Sequence, residues 1–89
     1  MTYVSALGIL AGLLTTTSFI PQIIKILRTG HARDISLYMY VILTTGIGLW
    51  LIYGILIEEA PIILANSVGF VLCSYIIAMK IYYGKKGDR

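Results

Sequence analysis

The chain has 89 residues, of which 58% are apolar and only 12% are charged. A soluble domain would carry about 25% charged residues, and a fold this small has too little interior to hide so much apolar surface. The net charge of +3 does not indicate nucleic-acid binding, because the basic residues form two short clusters rather than one continuous patch. The composition therefore excludes a small soluble domain and predicts an integral membrane protein.

Three apolar segments follow one another along the chain, at about residues 3–27, 37–57 and 60–81. Each has roughly 20 residues, enough for a helix rising about 1.5 Å per residue to cross a hydrocarbon core about 30 Å thick. The alternation typical of strands is absent, and lone strands could not satisfy their backbone in lipid. The sequence predicts one all-α domain over residues 1–89, a bundle of three transmembrane helices.

The charged residues predict how this bundle is oriented. All the lysines and arginines lie at or near the first link or the C-terminus, namely Lys25, Arg28, Arg33, Lys80, Lys85, Lys86 and Arg89. The second link is acidic, with Glu58 and Glu59. Because lysine and arginine accumulate on the cytoplasmic side of membrane proteins, we expect a cytoplasmic C-terminus and an external N-terminus.

Both links carry residues that begin or end helices. Gly30 is suited to the C-cap of the first helix, and Asp34 or Ser36 to the N-cap of the second. Pro61 falls where the first position of the third helix is expected, and proline is tolerated there because the missing N–H has no helical partner.

Pro21 and Gln22 interrupt the first segment near its end. Inside a helix, proline lacks its N–H and its ring clashes with the carbonyl four residues earlier, here that of Thr17. The hydroxyls of residues 15–18 can bond to the loosened backbone, as membrane helices with proline require. The pair is compatible with a static kink and equally with a hinge that lets the cytoplasmic end of the helix swing.

A stripe of residues on the second helix shares one face. Met39, Leu43, Gly46, Trp50 and Tyr53 follow one another at spacings of 4, 3, 4 and 3 residues. Such a stripe is more often a packing seam than a solute pathway. This one contains a tryptophan well inside the segment, away from the interface that membrane tryptophans prefer, with a glycine one turn away that leaves space beside its ring.

Asn66 is an amide inside the third segment, where a polar group must face other helices or water. It lies about five residues below the outer end of its helix, and Trp50 about seven below the outer end of its own. At about 1.5 Å per residue, the two are within roughly 3 Å of the same depth. Asn66 could bind another helix, or the pair could form a sugar site in which the ring stacks on C–H groups and the amide bonds hydroxyls.

Several classes of function lack the residues that they need. The centre of each span has no Asp, Glu, Arg or His, which a proton-driven transporter normally requires. Cys73 is the only cysteine and His31 the only histidine, and no nucleophile–base pair or phosphate loop is visible. The sequence thus predicts no enzyme activity, catalytic residue, metal or cofactor, and it favours downhill movement of a neutral polar solute.

Taken together, these motifs resemble a known family of bacterial membrane proteins, the SemiSWEET sugar transporters of the PQ-loop superfamily. The matching stretches are Thr-Thr-Ser-Phe-Ile-Pro-Gln at 16–22, Asp-Ile-Ser at 34–36, Met-Tyr at 39–40, Leu-Trp-x-x-Tyr-Gly at 49–54 and Pro-Ile-x-x-Ala-Asn at 61–66. The wider superfamily shares the Pro-Gln pair, so the combination of Trp50 with Asn66 makes the resemblance specific. It extends over essentially the whole chain.

The resemblance implies a parallel homodimer in the bacterial inner membrane, in which each chain is a three-helix half and the two are related by an axis along the membrane normal. It also implies a central pocket formed by Trp50 and Asn66 of both protomers. The expected partners are therefore a sugar, a second copy of the chain and the lipid bilayer.

The resemblance further implies two gates. The family's inner gate corresponds to Met39 and Leu43, and its outer gate to Tyr53 and Glu59. Some family members place an arginine two positions before the acidic residue, where this chain has Ile57. Tyr53 could instead bond Glu59 across the dimer, or Glu59 could simply cap the third helix.

The leading hypothesis is facilitated, bidirectional diffusion of a mono- or disaccharide by alternating access, with Pro21 and Gln22 as the hinge. One alternative is a PQ-loop transporter of another solute such as an amino acid, although a zwitterion would need a charged partner in the pocket. Another is a membrane assembly or regulatory protein that binds other helices and moves no solute.

Overall fold

The computed structural model describes residues 3–85. Its helices in chain order are α1 (Tyr3–Thr17), α2 (Phe19–Thr29), α3 (Leu37–Leu56) and α4 (Ala60–Lys85). The first two form one apolar span of 27 residues, and the others form spans of 20 and 26 residues. Because each is long enough to cross a bilayer, the prediction of an all-α membrane protein with three spans is confirmed.

The helical hydrogen bonding of the first span is interrupted at Ser18, between α1 and α2, although the backbone of Ser18 stays helical, with φ −63° and ψ −18°. Pro21 explains the break, because it has no N–H to donate to the carbonyl of Thr17. The hydroxyls beside the break bond to the backbone: Ser18 Oγ donates to the Thr15 carbonyl at 2.5 Å, and Thr15 Oγ1 donates one turn further back at 2.9 Å. Residues 3–27, expected to form one helix, therefore form α1 and most of α2.

The turn between α2 and α3 is capped at both ends. Gly30 has a left-handed backbone, with φ 75°, and its N–H donates to a carbonyl of α2 at 2.9 Å. Ser36 accepts a hydrogen bond from the N–H of Met39 at 3.2 Å. Both caps confirm the sequence prediction. Asp34, the other candidate N-cap, instead pairs with Lys25 at 3.1 Å.

A tight turn joins α3 to α4. Glu58 has φ 57°, which few residues other than glycine adopt. The carbonyl of Glu59 accepts the N–H of Ile63 at 3.0 Å and so begins α4. The helix starts at Ala60, so Pro61 is its second residue rather than its first, still within the turn where proline is tolerated.

The third span lies between the other two. α4 packs against α1, α2 and α3, whereas α1 and α3 make no contact with each other over residues 3–85. Small residues allow the close approach of the helices. A Cβ added to Gly12 would lie 2.6 Å from the Cβ of Ala65, and one added to Gly54 would lie 2.6 Å from Ile62 Cγ2. This packing leaves a gap between α1 and α3.

We call the end of the bundle at residues 30–36 the basic end. Buried side chains concentrate in the half of the bundle that is nearer to it. The opposite end, at residues 57–59, is the acidic end. The buried apolar side chains are Phe19, Ile26, Ala32, Ile35, Tyr40, Cys73, Ile76 and Met79. Lys80 Nζ also donates to the Ala32 carbonyl at 2.9 Å, while α1 contributes no buried residue. One half of the protomer is packed and the other is open.

Candidate functional site

A cleft of about 450 Å³ occupies the gap between α1 and α3. Its lining residues are Gly8, Ala11, Gly12, Thr15, Thr16, Phe19, Ile47, Trp50, Pro61, Ile62, Ala65, Asn66 and Gly69. This volume is in the usual range for small-molecule sites, about 300–1,000 Å³. Trp50 comes from α3 and Asn66 from α4, so the two residues predicted to bind a solute line one cleft.

Trp50 presents much of its ring to open space, with 55% of the residue exposed. Its ring meets that of Tyr53 edge to face, with centroids 5.5 Å apart and planes at 84°. Trp50 also borders a second groove of about 380 Å³ on α3, together with Gly46, Leu49 and Tyr53. The Trp50 ring therefore packs against Tyr53 and borders two openings.

Asn66 is partly buried in the wall formed by α4. Its Nδ2 donates to the carbonyl of Ile62, four residues earlier, at 2.9 Å. An amide has two N–H donors and an oxygen that accepts. The bond to Ile62 fixes the side chain against its own helix and leaves one N–H and the oxygen for a solute in the cleft.

Thr15 and Thr16 also line the cleft. From the sequence, their hydroxyls were expected only to form hydrogen bonds with the backbone beside Pro21. Thr16 Oγ1 donates to the Ala65 carbonyl at 3.3 Å, which ties α1 to α4. A signal was present in the sequence, since the small residues Gly8 and Gly12 precede these threonines at helical spacing and mark one face of α1.

A groove of about 380 Å³ flanks the same seam between α1 and α4, and its only polar lining side chains are Thr16 and Thr17. An orienting site needs a few convergent polar groups among apolar ones. The cleft has Asn66 and Trp50, which this groove lacks. The cleft is therefore the better candidate for a polar solute.

Pro21 and Gln22 do not line the cleft. Pro21 is exposed and Gln22 half-buried, and they follow the break at Ser18. Gln22 lines a small crevice at the basic end together with Lys25 and His31. The structure thus places the predicted hinge pair in the first turn of α2, outside the cleft and towards the basic end.

The predicted gate residues lie at two levels of the bundle. Tyr53 borders the groove beside Trp50, and the backbone of Glu59 begins α4. Met39 is 49% exposed near the start of α3, and Leu43 packs against the buried cluster. Neither Met39 nor Leu43 lines the cleft or the groove beside Trp50. Only part of the stripe on α3 therefore borders these two openings.

Within residues 3–85, none of the residues that line the cleft is charged. At the basic end, the hydrogen bond from Lys25 and the attraction of its ammonium group hold the pKa of Asp34 below its ordinary value. Residues 3–85 hold no group of three or more His, Cys, Asp or Glu side chains placed to bind a metal ion. The lining of the cleft therefore suits a neutral solute.

Comparison with known proteins identifies close relatives. Residues 3–64 match the PQ loop repeat family. The chain is 44% identical over 81 residues to "Sugar transporter SemiSWEET" of Bradyrhizobium diazoefficiens, an alignment that covers 91% of this chain and 94% of that protein. A crystal structure of a bacterial homologue of SWEET transporters has a TM-score of 0.88 and 48% identity, covering 92% of this chain and 99% of that one. SemiSWEET in the inward-open conformation has a TM-score of 0.83 and 31% identity, covering 98% and 94%.

Proposed function

The chain belongs to the PQ-loop family and, within it, to the SemiSWEET sugar transporters, and from this premise we propose that it carries a mono- or disaccharide across the membrane by facilitated diffusion. The family resemblance seen in the sequence is confirmed by the relatives. The single observation that carries the proposal is that Trp50 and Asn66, distant in sequence, line one uncharged cleft between the spans.

This pair complements the chemistry of a sugar. A sugar ring has an apolar face of C–H groups, which packs on an aromatic ring, and hydroxyls, which exchange hydrogen bonds with an amide. The uncharged lining offers no charged partner to a zwitterion and no titratable group to a coupling proton. Movement down a concentration gradient, without coupling to protons or sodium, fits such a site.

We propose that the transporting unit is a parallel homodimer. α1 has no buried residue, and both Trp50 and Tyr53 border an open groove. A second copy related by an axis along the membrane normal would cover these surfaces and bring two clefts face to face. Each protomer would then supply one Trp50 and one Asn66 to a shared central pocket.

Alternating access would need a gate on each side of the pocket. We assign Met39 and Leu43 to the inner gate, Tyr53 and Glu59 to the outer gate, and Pro21 with Gln22 to the hinge. Ile57 offers no cation to Glu59, so closure of the outer gate depends on Tyr53 of one protomer reaching Glu59 of the partner subunit. The interruption at Ser18 supports the hinge, because the missing N–H of Pro21 weakens the helical hydrogen bonding between α1 and α2 and makes a change of their mutual angle easier.

The charge distribution supports an orientation in the bacterial inner membrane. Lys25, Arg28, Arg33 and Lys80 lie at the basic end, whereas Glu58 and Glu59 lie at the other. By the preference of basic residues for the cytoplasm, the basic end and the C-terminus are cytoplasmic and the N-terminus is outside.

Counterflow of radiolabelled D-glucose and sucrose into proteoliposomes tests the transport function. We expect Trp50→Ala and Asn66→Ala each to abolish flux while the protein still forms dimers. Tyr75→Ala and Ser67→Ala are the controls, because these residues lie on α4 outside the cleft lining, and both should retain flux. Undiminished flux in both site variants would exclude the proposed site.

Pro21→Ala tests the hinge separately. A hinge role predicts that the variant still binds sugar but transports it slowly, because the proline-free span is stiffer. A static kink predicts a misassembled protein that neither binds nor transports, which would contradict the hinge assignment.

A further inference from the structure

We infer that Thr15 is a third sugar-contacting residue in the cleft, and that its hydroxyl oxygen accepts a hydrogen bond from a hydroxyl of the sugar. The inference rests on the proposed function and deepens it, because it states how the site distinguishes one sugar from another. Thr15 is exposed and lines the same cleft as Trp50 and Asn66, but from α1, on the side opposite the ring.

The direction of the bond follows from the hydrogen bond that Thr15 already makes. Its Oγ1 donates to the carbonyl of Ala11 at 2.9 Å. A hydroxyl has one hydrogen and two lone pairs. Because the hydrogen is committed to the helix backbone, the remaining capacity of Thr15 is to accept, and the partner in the cleft must donate.

Thr16, the neighbouring threonine, is less suited to this role. Its hydroxyl donates across to the Ala65 carbonyl on α4 at 3.3 Å and is partly buried. It also lines the apolar groove on the flank of the seam, which Thr15 does not. Thr16 therefore holds α1 to α4, whereas Thr15 is the hydroxyl left facing the solute.

Asn66 adds a second acceptor to the cleft. One of its N–H groups is committed to the Ile62 carbonyl, and its oxygen is still able to accept. Asn66 also keeps its second N–H as a donor, so Thr15 is the group that recognises a sugar hydroxyl only by its hydrogen. Replacing the recognised hydroxyl by fluorine, which cannot donate, should weaken binding as much as replacing it by hydrogen.

The test compares Thr15→Val, Thr15→Ser and a matched control, Thr45→Val. Thr45 is also exposed, and its Oγ1 donates to the Val41 carbonyl, four residues earlier, at 2.8 Å, but Thr45 does not line the cleft. Proteoliposomes carrying each variant are assayed for the half-saturation concentration and maximal rate of D-glucose counterflow. Competition by each monodeoxy and deoxyfluoro glucose is then measured.

We expect Thr15→Val to raise the half-saturation concentration roughly threefold to tenfold, the effect of one hydrogen bond, with a smaller effect on the maximal rate. Thr15→Ser should restore the wild-type value, and Thr45→Val should match the wild type. One monodeoxy glucose should compete with D-glucose equally well in the wild type and in Thr15→Val. This analogue lacks the hydroxyl that donates its hydrogen bond to Thr15. The fluoro analogue at that position should behave like the deoxy compound.

The remaining outcomes separate this inference from the transport function. If the wild type carries neither D-glucose nor sucrose, the proposed function fails and the inference fails with it. If only sucrose is carried, the same analogue series is built on its glucosyl unit. If flux depends on Trp50 while Thr15→Val behaves like Thr45→Val, the inference alone is overturned. It is also overturned if Thr15→Ser is as weak as Thr15→Val, if every analogue is affected equally, or if the fluoro analogue competes like the parent sugar.

Discussion

In the half of the protomer near the basic end, α2, α3 and α4 bury a continuous set of side chains around Ile76 and Cys73, both of which have no exposed surface. In the half near the acidic end, α1 meets α4 along a seam of small residues such as Gly12 and Ala65, and no side chain of α1 is buried. α1 is more apolar than α2, so a lack of apolar side chains does not explain why α1 buries none of them.

In a bilayer, the two halves differ in how their helices are held together. Lipid covers apolar surface at little cost, so helix association there depends on packing and interhelical hydrogen bonds rather than on the removal of apolar groups from water. In the packed half, the contacts that hold the helices together are all made within one chain. In the open half, α1 contacts α4 only along a narrow seam, and a cleft remains beside this seam. The proposed sugar site lies in that cleft.

The largest effect on stability should come from truncating a buried side chain in the packed half. Ile76→Ala removes a fully buried side chain, and we expect a loss of about 2–4 kcal/mol in the free energy of unfolding because the cavity cannot close completely. Leu14→Ala is the control in α1, where the side chain is 66% exposed. Thermal unfolding in detergent compares the two, and equal losses would contradict the contrast between the halves.

The seam of the open half can be tested by overpacking. Gly12→Ala places a Cβ 2.6 Å from that of Ala65, so α1 must shift, at a cost of about 1–3 kcal/mol. The double variant with Ala65→Gly should recover stability and flux, since the clash is removed. Gly46→Ala, with no atom within 4 Å of the added Cβ, is the stability control. A failure of Ala65→Gly to rescue would show that this contact does not hold α1.

A smaller effect is expected where Lys80 holds the loop of the basic end. Its Nζ donates to the carbonyl of Ala32, which is only 2% exposed. Lys80→Met keeps the length of the side chain but leaves this carbonyl without its charged donor, which should cost about 1–2 kcal/mol. Hydrogen exchange at residues 30–36 would report the loosened loop, and unchanged protection would contradict the role of Lys80.

The smallest effect is expected at the exposed pair formed by Lys25 of α2 and Asp34 of this loop. The pKa of Asp34 is lower in the folded protein than in the unfolded chain, so the pair stabilises the fold at neutral pH. Its contribution disappears as the pH falls through the folded pKa of Asp34, which lies below the ordinary pKa of an aspartate. Asp34→Asn should remove this pH dependence while changing stability at pH 7 little. A loss as large as that of Lys80→Met would reverse the expected order.

The sequence was most informative where structure depends on neighbouring residues. The apolar runs predicted the spans, and local rules predicted the caps at Gly30 and Ser36. Placing Trp50 and Asn66 together followed from their depth and from the family motif. Thr15 was missed, because its hydroxyl explained the backbone beside Pro21 equally well. The spacing of Gly8 and Gly12 marks the face of α1 that carries Thr15, but the cleft beside that face depends on packing between α1 and α4, which the sequence of one helix does not contain.

The central claim is that a sugar binds beside Trp50 and Asn66. Trp50 is the only tryptophan in the chain, so the intrinsic tryptophan fluorescence of the purified protein reports from the proposed site alone. Titration with the transported sugar should change the emission saturably in the wild type and in the control Ser67→Ala, and should leave Asn66→Ala unchanged. Sugar flux without any saturable change in Trp50 emission would contradict the account.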